Sequence, residues 1–288
     1  MLLSNWLRFL TRQQASKTNR TPWWTRRRIT RRRSSSRIPE RAHVIPRLTE
    51  AWVTEALEDR TLLTSVAVFD NGSFVDTAGG AYSESDAVQA SLASLGHSVS
   101  TFTDFDFETR TAGRDVLLIP ELERGDLAAA LQLDAAATAA IRTFVSGGGG
   151  LVIHGSSPYG VRVLNHVFGF GLSAQFVSGT SSKTPSASGT EFSDDPTSVP
   201  SLSATFGIKS GLPAGSSSIY YDAGQNVSTV ALIPVGTGQV AYVGWDWFNA
   251  KPLGSQDSGW LQVLDSAVKE VGTPTNSPPS DITLSSSE

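Results

Sequence analysis

Hydrophobic positions from residue 64 to about residue 272 alternate between short continuous runs and helical stripes. The stretch 114–157 shows the alternation most clearly. Val116, Leu117, Leu118 and Ile119 form an unbroken apolar run, the pattern of a strand buried on both faces. Asp134 is placed to cap a helix that Leu133 staples, with Ala137, Ala140, Ile141, Phe144 and Val145 along its inner side. Glycines 147–150 stop that helix, and Leu151, Val152 and Ile153 open a second buried strand. Strand, helix, strand in this order is a right-handed crossover between parallel strands.

The same alternation extends to both sides. Residues 65–69 predict a first strand ending at Asp70 and Asn71. A helix capped by Ser83 or Ser85 follows, with Val88, Leu92 and Leu95 inward and Gly96 as its stop. Residues 97–102 predict a second strand, leading into an acidic turn with Asp104, Asp106 and Glu108. After Ser157 come a helix over 159–168 and a Ser/Thr-rich stretch, 178–200, expected to be a mobile surface insertion with little to bury. Three strands, 218–222, 229–235 and 239–245, precede a last helix. Trp260, Val263, Leu264, Ala267, Val268 and Val271 make its apolar side, and Gly272 and Pro274 stop it. The expected architecture is α/β, a mostly parallel sheet with a C-terminal antiparallel strand pair.

Charge divides the chain differently. Residues 1–65 carry 14 Lys/Arg against 5 Asp/Glu, a net of +9, while the remainder carries 9 against 22, a net of −13. Two arginine triplets, residues 26–28 and 31–33, lie near Trp6, Trp23 and Trp24, so residues 1–63 read as a disordered basic arm. Arginine interleaved with aromatics is a pattern nucleic-acid binders use, but an acidic body argues against nucleic acid as the partner. No run approaches the roughly 18 apolar residues of a membrane-spanning helix, nor the apolar core of an ordinary secretory signal. There is no cysteine, which excludes disulfides, a thiol nucleophile and Cys-ligated metals.

Three resemblances follow from quoted residues. Leu57, Glu58, Arg60, Leu62 and Leu63 follow the basic arm and match every specified position of the Leu-Glu-x-Arg-x-Leu-Leu pattern. This resembles the export-associated motif of planctomycete surface proteins, though Asp59 stands where that family usually has Pro. The resemblance implies delivery to the cell surface or outside. The segments 144–155, 164–169 and 235–246 resemble the class I glutamine amidotransferase-like superfamily, nearest its non-catalytic and trehalose-utilisation-like branches, and imply its flavodoxin-like body, a three-layer α/β/α sandwich, over 64–272. Pro278, Pro279, Ser280, Asp281, Ile282, Thr283 and Leu284 resemble the first strand of a cadherin-like repeat, so 273–288 reads as a linker opening another module.

In an open parallel sheet, ligands bind beyond the carboxyl ends of the strands. The residues expected there are Asp70, Asn71, Glu121, His154, Ser156, Ser157, Asp246 and Trp247. His154 is a candidate base, with Glu121 or Asp246 to orient it, and Ser156 a candidate nucleophile. Each has a plainer reading. His154 can be an imidazole hydrogen-bonded at a strand end, and Trp247 can be core packing or a sugar platform. Ser156 and Ser157 have only half of the Gly-x-Ser-x-Gly pattern, since Tyr159 stands where the second glycine belongs. The amidotransferase resemblance would need a cysteine, so that activity is excluded. No spacing assigns a metal: Asp104, Asp106 and Glu108 lack the EF-hand glycine and terminal Glu, and His154 with His166 lacks a third ligand. Residues 147–150 follow a helix rather than a strand, so they do not cradle phosphate. No cofactor is implied. The reading is a non-catalytic module of an exported or cell-surface protein, its partners other surface proteins or extracellular polysaccharide. The alternatives are a hydrolase-like or carbohydrate-binding domain around His154, or nucleic-acid binding by the arm.

Overall fold

Alternation along the central strands builds two cores, one on each side of the sheet. The computed structural model describes residues 63–202 and 204–273; the arginine triplets, residues 57–62 of the export-type motif and the Pro/Ser tail from residue 274 lie outside the described residues. In β1 (Ser65–Phe69), Val66 and Val68 enter one core while Ala67 and Phe69 enter the other. β3 (Val116–Ile119) sends Val116 and Leu118 one way and Leu117 and Ile119 the other. β4 (Gly150–His154) and β11 (Gly238–Val243) divide in the same manner. A strand with both faces apolar is stable only when helices cover both. Helices α1 (Glu84–Ser94) and α6 (Trp260–Gly272) cover the first face. The second is covered by α3 (Leu127–Leu133), α4 (Ala135–Ser146) and α5 (Tyr159–Phe168), with the short α2 (Phe107–Thr111) sealing one end through Phe107.

With β2 (Ser98–Phe102) at the edge, the strands run β2-β1-β3-β4-β11 and every pair among them is parallel. Counting β11 as the fifth strand, this is the flavodoxin-like order, and the domain is a three-layer α/β/α sandwich. The antiparallel pair is present as well: β10 (Val227–Val235) returns along β11. It opens a wider antiparallel wing, in which β9 (Ser217–Asp222) and β8 (Phe206–Ser210) pair with β10. β5 (Ser173–Phe176) joins β8, while β6 (Thr180–Lys183) joins β9 and β7 (Ser198–Pro200) joins β6.

Two expectations need correction. Residues 178–200 are not a loop with little to bury. They hold β6, β7 and two single 3-10 turns, and Phe192 and Val199 are fully buried in the core shared with Trp245 and Trp260. Lys183 Nζ ties the turn together by donating to the carbonyls of Phe192, Ser193 and Asp195, the last two at 2.6 Å. Secondly, Asp134 does cap α4, accepting from the Ala137 amide at 2.9 Å, but Leu133 is 91 % exposed and staples nothing. It ends α3, whose seven residues are too few to show a period beside the longer helix.

If the 178–200 segment is structural, Phe192→Ala should cost about 3–5 kcal/mol, the range for emptying a buried aromatic site. Urea denaturation of the full chain reads this directly, and a midpoint equal to the parent's would show that the segment contributes nothing to the core.

Candidate functional site

A group of polar residues gathers at one rim, beyond the carboxyl ends of the parallel strands. Gly155 begins the turn there because nothing larger fits: a Cβ on it would lie 1.8 Å from Tyr242 Oη. That hydroxyl donates toward the carbonyls of Gly155 and Phe206, at 3.2 and 3.1 Å. The glycine after β4 therefore makes room for a tyrosine crossing behind it.

His154 closes β4 and is 1 % exposed. Neither ring nitrogen has a hydrogen-bond partner, and the ring packs 4.5 Å from that of Trp247, centroid to centroid. Burial alone drives its pKa down to about 3, so the imidazole is neutral at physiological pH. The hydrogen bonds expected of this residue are not formed. It is not tied by hydrogen bonds at the strand end, and neither Glu121 nor Asp246 orients it. Trp247 packs against the imidazole; its own Nε1 donates to Ser91 Oγ at 3.2 Å, and it is fully buried as core.

The other rim residues separate into two groups. Asp70 accepts from Ser85 Oγ at 2.6 Å. Asn71 donates to the Thr103 carbonyl at 2.5 Å and accepts from the Ser73 amide at 2.9 Å. Ser157 Oγ donates to the Leu122 carbonyl at 2.8 Å. These three hold loops in place. Asp104 pairs with Arg110, and Asp106 caps α2, so the acidic turn is likewise committed to structure. His166 reaches Thr138 Oγ1 at 3.2 Å.

The second group converges. Glu84 is the first residue of α1, Glu121 lies just past β3, and Asp246 lies just past β11. One carboxylate oxygen from each lies within 4.8 Å of those from the other two. All three residues are only 5–6 % exposed. Glu84 also belongs to an outer trio with Asp76, half-buried, and Glu123, exposed. Burial, followed by the charges of Glu123, Asp246 and Asp76, raises Glu84 to about 8. Burial and then Asp246 lift Glu121 well above the ordinary carboxylate range, while the Ser156 hydroxyl beside it draws it partly back. Asp246 is raised by burial, against the pull of the Phe248 amide at 2.8 Å and of the Glu121 carboxyl. Glu84 Oε2, Glu121 Oε2 and Ser156 Oγ have no well-formed hydrogen bond.

Sequence reasoning named Glu121, Ser156 and Asp246 for the rim and passed over Glu84. An acid in the first turn of a helix reads as a partner of the helix dipole, and only the placement of α1 against β3 reveals a second role. A groove of about 680 Å³ lies at the opposite rim, lined by Glu108, Arg114, Asp115, Ala140 and Phe144, and none of the converging acids lines it.

No family model matches the chain, and no curated protein matches it either. Among solved structures, the N-terminal domain of mmIFT52 is similar at 11 % identity over 74 % of this chain and 99 % of its own, with a TM-score of 0.50. A putative ThuA-like protein from Bacteroides uniformis aligns at 11 % identity over 72 % of this chain and 91 % of its own, TM-score 0.48. A cytoplasmic protein from Salmonella typhimurium aligns at 12 % identity over 70 % and 98 %, TM-score 0.46. At these identities the likeness concerns the fold alone.

The buried acids and the buried imidazole give stability opposite slopes with pH. A carboxyl whose pKa is raised keeps its proton when folded and releases it when unfolded, so its contribution is full below about 4.5 and is lost as pH climbs through the folded value. His154 resists protonation until about 3, so its contribution is lost as pH falls below 6.5. In EDTA-containing buffer the urea midpoint should therefore fall from pH 6.5 to 9. Glu84→Gln with Glu121→Gln should flatten that limb, whereas His154→Leu should flatten the acid limb only.

Proposed function

We propose that this chain is a non-catalytic α/β module of an exported or cell-surface protein, with a structural or interaction role and an amidotransferase-like scaffold that no longer runs amidotransferase chemistry. The observation that carries this reading is the isolation of His154. A general base must reach the proton it removes and be oriented by a third group. His154 is sealed from solvent, bonds to nothing, and stays neutral because it is desolvated. Ser157 spends its hydroxyl on the Leu122 carbonyl, and there is no cysteine. Delivery to the surface is supported by residues 57–63 following the Arg-rich arm, and other surface proteins or extracellular polysaccharide are the partners this implies.

A hydrolase-like or carbohydrate-binding reading has one observation in its favour. Glu121 and Asp246 adjoin with raised pKa values, and such a pair can give and take a proton. Their burial weighs against it, since no substrate reaches a carboxyl that is 5–6 % exposed without a rearrangement.

Chromogenic ester, anilide and glycoside substrates separate the two readings. The full chain should turn them over no faster than a Glu121→Gln variant, and turnover above buffer that this variant loses would overturn the non-catalytic reading. Residues 1–63 fused to a fluorescent reporter should carry it to the envelope fraction of a planctomycete host. Retention in the cytosol would remove the export half of the proposal.

A further inference from the structure

We infer that Glu84, Glu121 and Asp246 form a Ca²⁺ site at the carboxyl rim of the sheet, entered through Asp76 and Glu123. The site stands independently of whether the module is exported or catalytic. Its donors are all oxygens, three carboxylates with a hydroxyl beside them, a set that selects hard cations over Zn²⁺ or Cu²⁺. The number of carboxylates favours the larger ion: Ca²⁺ is caged by several protein oxygens, whereas Mg²⁺ keeps most of its waters and takes one or two carboxylates. The three carboxylate oxygens fall within 4.8 Å of one another.

Acids gathered at a rim are common, and here a second observation points to a ligand. Ser156 is 3 % exposed, its Oγ has no well-formed hydrogen bond, and the hydroxyl lies beside the Glu121 carboxyl. Glu84 Oε2 and Glu121 Oε2 are buried and unpartnered in the same place. Buried oxygens without donors cost stability unless something positive satisfies them, and a cation of charge +2 satisfies several at once. The neighbouring residues supply a way in. Glu84 is shared with the outer trio, so an ion met by exposed Glu123 and half-buried Asp76 passes to the inner trio across one side chain. Arg124 pairs with Asp76 at 2.6 Å, so an entering cation competes with it for that carboxylate.

The position fits the topology. α1 follows β1, and Glu121 follows β3, so the trio sits where the strand order reverses, the place at which open α/β sheets bind ligands.

The test uses the full chain, stripped with EDTA and exchanged into chelator-free buffer at pH 8. Calorimetric titration should show one equivalent of Ca²⁺ bound, with a rise in the thermal unfolding midpoint that EDTA reverses. Glu121→Gln and Asp246→Asn should each weaken binding by roughly tenfold or more, while Glu108→Gln, away from the rim, should leave it unchanged. Circular dichroism confirms that each variant is folded, and Glu84→Gln replaces either one that is not. No heat and no midpoint shift at millimolar Ca²⁺ would overturn the proposal. So would binding that all the trio variants retain, or tighter binding of Mg²⁺ than of Ca²⁺.

Discussion

Burying a parallel sheet on both faces is the constraint from which the rest of this structure follows. Four central strands are apolar on both faces, so the polar groups they carry are displaced to their ends. At the carboxyl rim these groups meet the first turn of α1 and the segment after β11, and there is too little room to keep them wet. A carboxylate taken from water without a partner is costly, and the usual outcome is a raised pKa or a bound cation. The Glu84, Glu121 and Asp246 cluster is thus a consequence of how tightly the layers close.

Closure at that rim depends on tryptophan. Trp245 stacks on Trp260 at 5.6 Å with an 8° interplanar angle, and meets Trp247 nearly edge-on at 4.6 Å. Trp247 in turn covers His154. One aromatic chain therefore links the end of β11, helix α6 and the last residue of β4. Trp260 Nε1 donates to the Pro200 carbonyl at 2.8 Å, which extends the chain into the antiparallel wing. The same packing that stabilises the layers buries the imidazole and leaves both of its nitrogens without a hydrogen-bond partner.

Much of the parallel core was legible because its signals are local. Val116–Ile119, the Asp134 cap, the α4 stripe and the stop at residues 147–150 are each fixed by neighbours in sequence. What escaped was set by distant contacts. Residues 178–200 look polar by composition, and only Phe192 and Val199, two residues in a Ser/Thr background, reveal that the segment packs on α6. The rim was located correctly by topology, but its internal arrangement was not. That His154 would face Trp247 rather than a carboxylate, and that Glu84 would turn toward Glu121, depend on how α1 and β11 approach one another. No spacing along the chain encodes that approach.

The antiparallel wing has a further consequence, for the order in which the molecule assembles. β4 and β11 are adjacent parallel strands, with Gly150 in register with Gln239, yet the entire wing and α5 lie between them in the chain. Bringing those strands together closes a loop of about ninety residues, and such long-range pairings slow folding because the entropy of closure is lost before the contacts form. A nascent chain released at Phe168 would hold β1 to β4 without the strand that covers the open edge of β4. That edge is apolar on both faces and offers an unpaired backbone, so until β11 arrives it is the surface on which the half-made protein is most prone to join another copy of itself.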